Sequence, residues 1–295
     1  MRIADRVLTD NVRTNLNHNV DRLMRVQKEL SSGRRINAPS DDPAAAATAL
    51  RYRTDIKLNE QFSRTTDAAK ARLGAADTAL GSLTDIMQRA RELTVQAGSS
   101  AISDDQLKAI STELNQLLHS AVQVGNTGFG GQFLFSGTKT TTAPFDATGD
   151  EPATVTYQGN DNAIVQDLGQ DAQVRVDVPG DQAILPAMQA LIQVRDALSS
   201  GNRSAASSAG LPAIDQALDD VLRTRGGIGA RVNRFDALGD RMDTERTNLQ
   251  GLQSGLEDID MADTIVRLNS ARNVYEAALG AAAKAIQPSL AEFLH

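Results

Sequence analysis

The sequence has no cysteine, so it can form neither disulfides nor thiolate metal sites, and it carries no marker of redox compartment. It also has no tryptophan, and aromatic residues make up only 3% of its 295 positions. A core built on large rings is therefore excluded, and burial must rest on Leu, Ile, Val and Ala along helices. Long apolar runs are missing too. The longest, around Ala277–Ala283, falls far short of the ~20 residues that span a bilayer, so no membrane insertion is expected. Thirty basic side chains face 37 acidic ones, for a formal charge of −7, which argues against general nucleic-acid binding through a concentrated positive face. The first ten residues lack the apolar segment of a secretory signal, so any export is expected to bypass the general secretory route.

What the chain does have is heptads. Ile228, Phe235, Met242, Leu249 and Leu256 recur every seven residues, with Arg231, Leu238, Glu245, Leu252 and Ile259 at the companion positions. A seven-residue apolar repeat keeps one narrow seam facing a partner helix. At 1.5 Å per residue the stretch from Ile228 to Ile259 extends about 48 Å. The N-terminal region offers a matching seam in Leu16, Leu23 and Leu30, with Val12, Asn19 and Val26 beside it. At Ser31-Ser32-Gly33 that helix is expected to stop, since Gly can adopt the left-handed cap conformation.

Two helix starts are marked by capping residues. Asp42 reads as an N-cap and Pro43 as the first helical residue of a long second helix, whose seam runs through Ala69, Leu73, Leu80, Leu83 and Met87. Ser103 and Gln106 form a capping box for a third helix with apolar positions at Leu107, Ile110, Leu114 and Leu118. Composition changes at Gly125. Val155–Tyr157, Ala163–Val165 and Gln173–Val178 alternate apolar and polar residues, as half-buried strands do. Thr138–Asp181 holds eight acidic and two basic residues, so this insert is expected to project as a solvated knob. Helices resume near Pro186–Leu198, a flexible loop is expected at Ser199–Gly210, and Gly226-Gly227-Ile228-Gly229 reads as a hinge or tight turn before the long heptad stretch. Ile265, Leu268, Ala271 and Tyr275 carry the pattern through a final Ala-rich helix. The fold class is therefore mainly α with an inserted small β domain, the two chain ends forming a long antiparallel bundle or coiled coil.

No constellation of catalytic residues emerges. His18, His119 and His295 lack a second ligand at metal-binding spacing. Asp41-Asp42 and Asp104-Asp105 each begin a predicted helix, where carboxylates satisfy orphan amides. Gly159-Asn160-Asp161-Asn162 reads as a β-turn in preference to a calcium loop. No catalytic, cofactor-binding or metal residue is expected, and no cofactor.

Several blocks resemble the bacterial flagellin family, especially its hook-associated members. Ser32-Gly33-Arg34-Arg35-Ile36-Asn37-Ala38-Pro39-Ser40-Asp41-Asp42-Pro43 is similar to their SSGKRI–PSDDP segment. Asn126–Gly137 resembles their N–G–YLFSG signature, with Phe133 where Tyr is usual, and Gly227–Arg234 resembles VGAR-N. Gln88–Ala97 and Ser289–Leu294 resemble further family segments. The resemblance implies a non-enzymatic adaptor at the hook–filament junction of a flagellum, exported through the flagellar type III channel. It implies four partners: further copies of the chain in a ring, the preceding hook-associated protein, flagellin, and an export chaperone bound to the C-terminal part. Terminal helices that order only on assembly are implied as well. The domains expected are 1–45 and 259–295 as terminal helices partly disordered in the monomer, 46–137 with 182–258 as the helical body, and 138–181 as the outer insert. Leu16, Leu23, Val26, Leu30, Leu249, Leu252, Ile259, Ile265, Leu268 and Tyr275 are the expected assembly interface. The alternatives are flagellin itself or a type III secreted coiled-coil effector.

Overall fold

The computed structural model describes residues 2–99, 102–167 and 173–291. Three helices come first: α1 (Arg2–Ser32), α2 (Pro43–Ala97) and α3 (Asp104–Gly125). Among the described residues, six short strands follow in three antiparallel pairs. β1 (Gly128–Phe129) pairs with β2 (Gln132–Phe133), β3 (Phe145–Asp146) with β4 (Thr156–Tyr157), and β5 (Val165–Asp167) with β6 (Gln173–Arg175). The chain continues through α4 (Gly180–Ala183), α5 (Leu185–Ser199), α6 (Arg203–Ala205) and a π-helical turn at Ala206–Gly210. The long α7 (Leu211–Glu257) and α8 (Met261–Ala291) complete it. It divides into two compact units, Met1–Asn59 with Thr244–His295, and Glu60–Asp243.

The larger unit, Glu60–Asp243, has one apolar core. Leu73, Leu80, Leu83 and Met87 of α2 meet Leu107, Leu114 and Leu118 of α3 there, with Leu191 and Val194 of α5. From α7, Ile214, Val221, Ile228, Phe235 and Met242 enter at strict seven-residue intervals, and all five are buried. α3 begins at the predicted capping box: Gln106 N donates to Ser103 Oγ, and Ser103 N donates to Gln106 Oε1 at 2.9 Å. The β1–β2 turn places Gly130 and Gly131 at φ +59° and +78°, the left-handed pair that tight hairpins favour.

Three sequence expectations are corrected here. Gly226–Gly229 is neither hinge nor turn, because α7 runs through it without a break. The physical reason is that the heptad stripe begins at Ile214, fourteen residues earlier than the sequence reading placed it. Burying that stripe outweighs the helix cost of three glycines, about 1 kcal/mol each. Ser199–Gly210 is not all loop, since residues 203–210 are helical, with Asn202 capping Ala205 N at 3.0 Å. Nor does the insert project as a wholly solvated knob. Phe145, Val155, Val174, Val176 and Val178 are buried in the same core as the helices.

The smaller unit pairs the chain ends. α1 and α8 pack antiparallel, with Arg267 Nη1 3.2 Å from Glu29 Oε2 and Ile259 N donating to Gly33 O at 3.2 Å. α1 ends where Gly33 adopts φ +69°.

Candidate assembly surface

The segment between α1 and α2 is held at both of its ends. Asp41 accepts hydrogen bonds from Asn37 N (3.0 Å) and Ala38 N (2.8 Å), which hold its carboxyl below the usual range. Asp42 Oδ1 accepts from Ala45 N at 3.0 Å, so Asp42 and Pro43 cap α2 as the sequence indicates. The far anchor is Glu257, at the end of α7. Arg35 N donates to its carbonyl at 2.6 Å, and Arg34 pairs with Asp258 in a single antiparallel bridge. The buried Glu257 carboxylate takes Arg53 Nη2 at 2.7 Å and Gln253 Nε2 at 3.1 Å. Burial pushes this carboxyl up, but Arg53, Gln253 and Arg34 outweigh that effect and hold it below the ordinary value. Sequence reasoning missed Glu257, because its charged partners Arg53 and Arg34 lie some 200 residues away.

Of the expected interface residues, Leu16, Leu23 and Leu30 of α1 are half-buried, as are Leu268 and Tyr275 of α8. Val26 is buried within the chain itself. Leu249 and Ile259 are half-buried, whereas Leu252 and Ile265 are open to solvent, at 53% and 45% exposure. They are not alone. Among the described residues, fourteen large apolar side chains are exposed, and ten of these belong to the smaller unit. On α8, Met261, Ile265, Val266, Val274 and Leu279 are exposed while Thr264, Ala271 and Ala282 are buried. The side turned inward is the thinner one, and the bulkier apolar groups remain uncovered. The concentration of exposed apolar groups in one unit makes that unit the candidate for an interaction surface.

The other candidate chemistry resolves into structure. His119 Nε2 lies 2.9 Å from the carbonyl of Asp150, and His18 is exposed. His295, Phe293 and Leu294 lie outside the described residues. Asn160 ties its turn to the chain at Thr138, whose N and Oγ1 lie 2.9 and 3.1 Å from Asn160 Oδ1. Among the described residues, no three His, Asp or Glu side chains are placed to hold a metal ion, and no helix is long and apolar enough to cross a membrane.

Two matches account for this arrangement of helical ends around a central insert. The bacterial flagellin N-terminal helical region matches residues 3–140, and the bacterial flagellin C-terminal helical region matches residues 211–294. The chain belongs to the bacterial flagellin family. Members of this family are flagellar structural proteins, so the chain is a structural component and not an enzyme. It is 26% identical over 295 residues to flagellar hook-associated protein 3 of Salmonella typhimurium, covering 90% of each chain. It is 29% identical over 273 residues to a flagellin of Bacillus subtilis, covering 89% of this chain and 88% of that one. In fold it is similar to a flagellar hook-associated protein from Vibrio parahaemolyticus. That likeness has a TM-score of 0.67 and 22% identity, and covers 74% of this chain and all of the other.

Proposed function

We propose that this flagellin-family chain is the structural adaptor at the hook–filament junction. It forms a ring on the preceding hook-associated protein and presents the surface on which flagellin polymerises. The observation that carries this reading is the set of bulky apolar side chains left uncovered on α8, whose inner seam is thin. Small inward residues such as Ala271 and Ala282 bury little area each, so the α1–α8 pair gains little until further helices cover the outer side. Head-to-tail contacts between such faces generate a ring where the rotation closes and an open helical layer where it does not. Export in a largely unfolded state by the flagellar type III route, with a chaperone on the C-terminal part, fits a terminal pair that is weakly held in isolation.

The junction role is preferred over the filament role on Pro39-Ser40-Asp41-Asp42-Pro43 and Phe133-Leu134-Phe135-Ser136-Gly137, which resemble the hook-associated members. The 29% identity to a flagellin keeps the filament reading as the alternative. Deletion of the gene in the source bacterium tests the proposal. Swimming is expected to stop and filament protein to accumulate in the medium while hooks persist. Hooks still carrying full filaments would refute the junction role. Immunogold label along the whole filament, instead of at its base, would select the flagellin alternative.

A further inference from the structure

Within the larger unit, Arg175, Arg223 and Arg231 converge on a cavity of about 210 Å³ that Pro179, Gln182 and Gly227 help to line. Among the described residues that line it there is no carboxylate. Arg231 occupies a heptad position where an apolar residue is expected, and the structure shows what takes the place of that packing. Its Nη1 donates to the carbonyl of Asp177 at 2.9 Å, a neutral partner. The carboxylate of Asp177 is committed elsewhere. It accepts from Arg175 Nε (2.9 Å) and Nη2 (2.7 Å) and from Ile164 N (2.8 Å). Burial, with Arg175 close by, lowers the pKa of Arg231 by more than Asp177 raises it. Asp161 and Asp181 act on Arg175, and Arg223 reaches Asp220 at 2.8 Å while 73% of its side chain stays exposed. The cavity thus holds a half-buried guanidinium that, among the described residues, has no anion of its own, beside two further cationic forks.

We propose that this cavity is an oxyanion site, taking one carboxylate or phosphate group through the guanidinium fork of Arg231, with Arg223 folding over it. Planar forks match such anions with paired, charge-assisted hydrogen bonds, which an ammonium cannot reproduce. The anion comes either from solution or from an acidic side chain of a second copy of this chain. The site does not rest on the junction reading.

Equilibrium dialysis of the full chain against radiolabelled phosphate or acetate, with sodium chloride fixing the ionic strength, tests the site. One phosphate or acetate per chain is expected to bind, with Kd about 1 mM, each displacing the other. Arg231→Gln is expected to weaken binding at least tenfold, Arg231→Lys to restore only part of it, and Arg223→Gln to weaken it severalfold. Thermal melts show whether the variants are folded, and Arg223→Gln, at an exposed position, keeps the test open if Arg231→Gln is not. Sedimentation of the same proteins separates the sources. Self-association that both phosphate and Arg231→Gln abolish assigns the anion to a second copy and also supports the site. Neither anion binding above chloride, or binding unchanged by Arg231→Gln, with no association sensitive to that substitution, would overturn it.

Discussion

At the scale of single residues, the most consequential group is Glu257. The residue is only 4% exposed; its carboxylate joins α7 to Arg53, while its carbonyl holds the segment that follows α1. Glu257→Gln leaves the shape and removes the charge. A loss of about 1–2 kcal/mol at neutral pH is expected, a modest figure because Arg53 and Arg34 are themselves partly exposed. The pH dependence has a definite sign. The folded state holds this carboxyl below its ordinary 4.5, so its contribution is complete above that value and is lost as pH falls through the lower, folded one. Urea titrations of both proteins across the acid range should show the gap closing on the acid side. A gap of the same size at pH 3 and pH 7 would contradict this account of Glu257.

Gly137 shows a different constraint at the same scale. It sits at φ +61°, and a Cβ there would collide with the carbonyl and side-chain oxygens of Asn160. Those oxygens cannot move away cheaply, since Tyr157 Oη donates to the Asn160 carbonyl at 3.1 Å and Thr138 holds its side chain. Gly137→Ala should therefore cost ~2 kcal/mol or more, through backbone strain added to the displaced turn. A thermal midpoint within one degree of the parent would show that the turn gives way more easily than this packing implies.

Among the elements, α7 is the one the sequence only half discloses. Its stripe from Ile228 onward is plain, but the glycines at 226, 227 and 229 suggest an ending. Propensity is local, whereas Ile214 and Val221 extend the same seven-residue spacing across the glycines, and burial of that stripe decides the outcome. Gly226 and Gly229 are helical, and a Cβ on either would meet nothing within 4 Å. Gly226→Ala and Gly229→Ala should each stabilise the chain by about 0.5–1 kcal/mol, seen as a higher urea midpoint with an unchanged slope. Destabilisation by either would mean that the helix must bend there. The caps at Asp42 and Ser103 were legible because capping couples neighbours three residues apart. The hairpin β1–β2 was not, and of β3–β4 only β4 was, inside the strand expected at Val155–Tyr157, since two-residue strands show little alternation. Asn126 fastens β3 instead, its amide exchanging two 2.9 Å hydrogen bonds with the backbone of Phe145.

For the whole molecule, what matters is which apolar residues are satisfied within one chain. Heptad spacing cannot reveal this, because a seam looks the same in sequence whether its partner is the same chain or another. The structure separates the two cases on α8. Ala271 and Ala282 are covered, while Ile265 and Val266 are 45% and 66% exposed. Replacing exposed groups barely affects the isolated chain, so Ile265→Asp and Val266→Asp should change unfolding free energy by no more than about 0.5 kcal/mol. Assembly is another matter. A buried, unpaired carboxylate in an intersubunit seam is expensive, and cells complemented with either variant should export the protein yet fail to retain it on hooks and fail to swim. Val95→Asp supplies the control. That position, on α2 in the larger unit, is 54% exposed, and its replacement should leave swimming intact. Normal filaments on cells carrying Val266→Asp would show that this face of α8 stays in water after assembly. The partners of the chain ends would then have to be sought on α1.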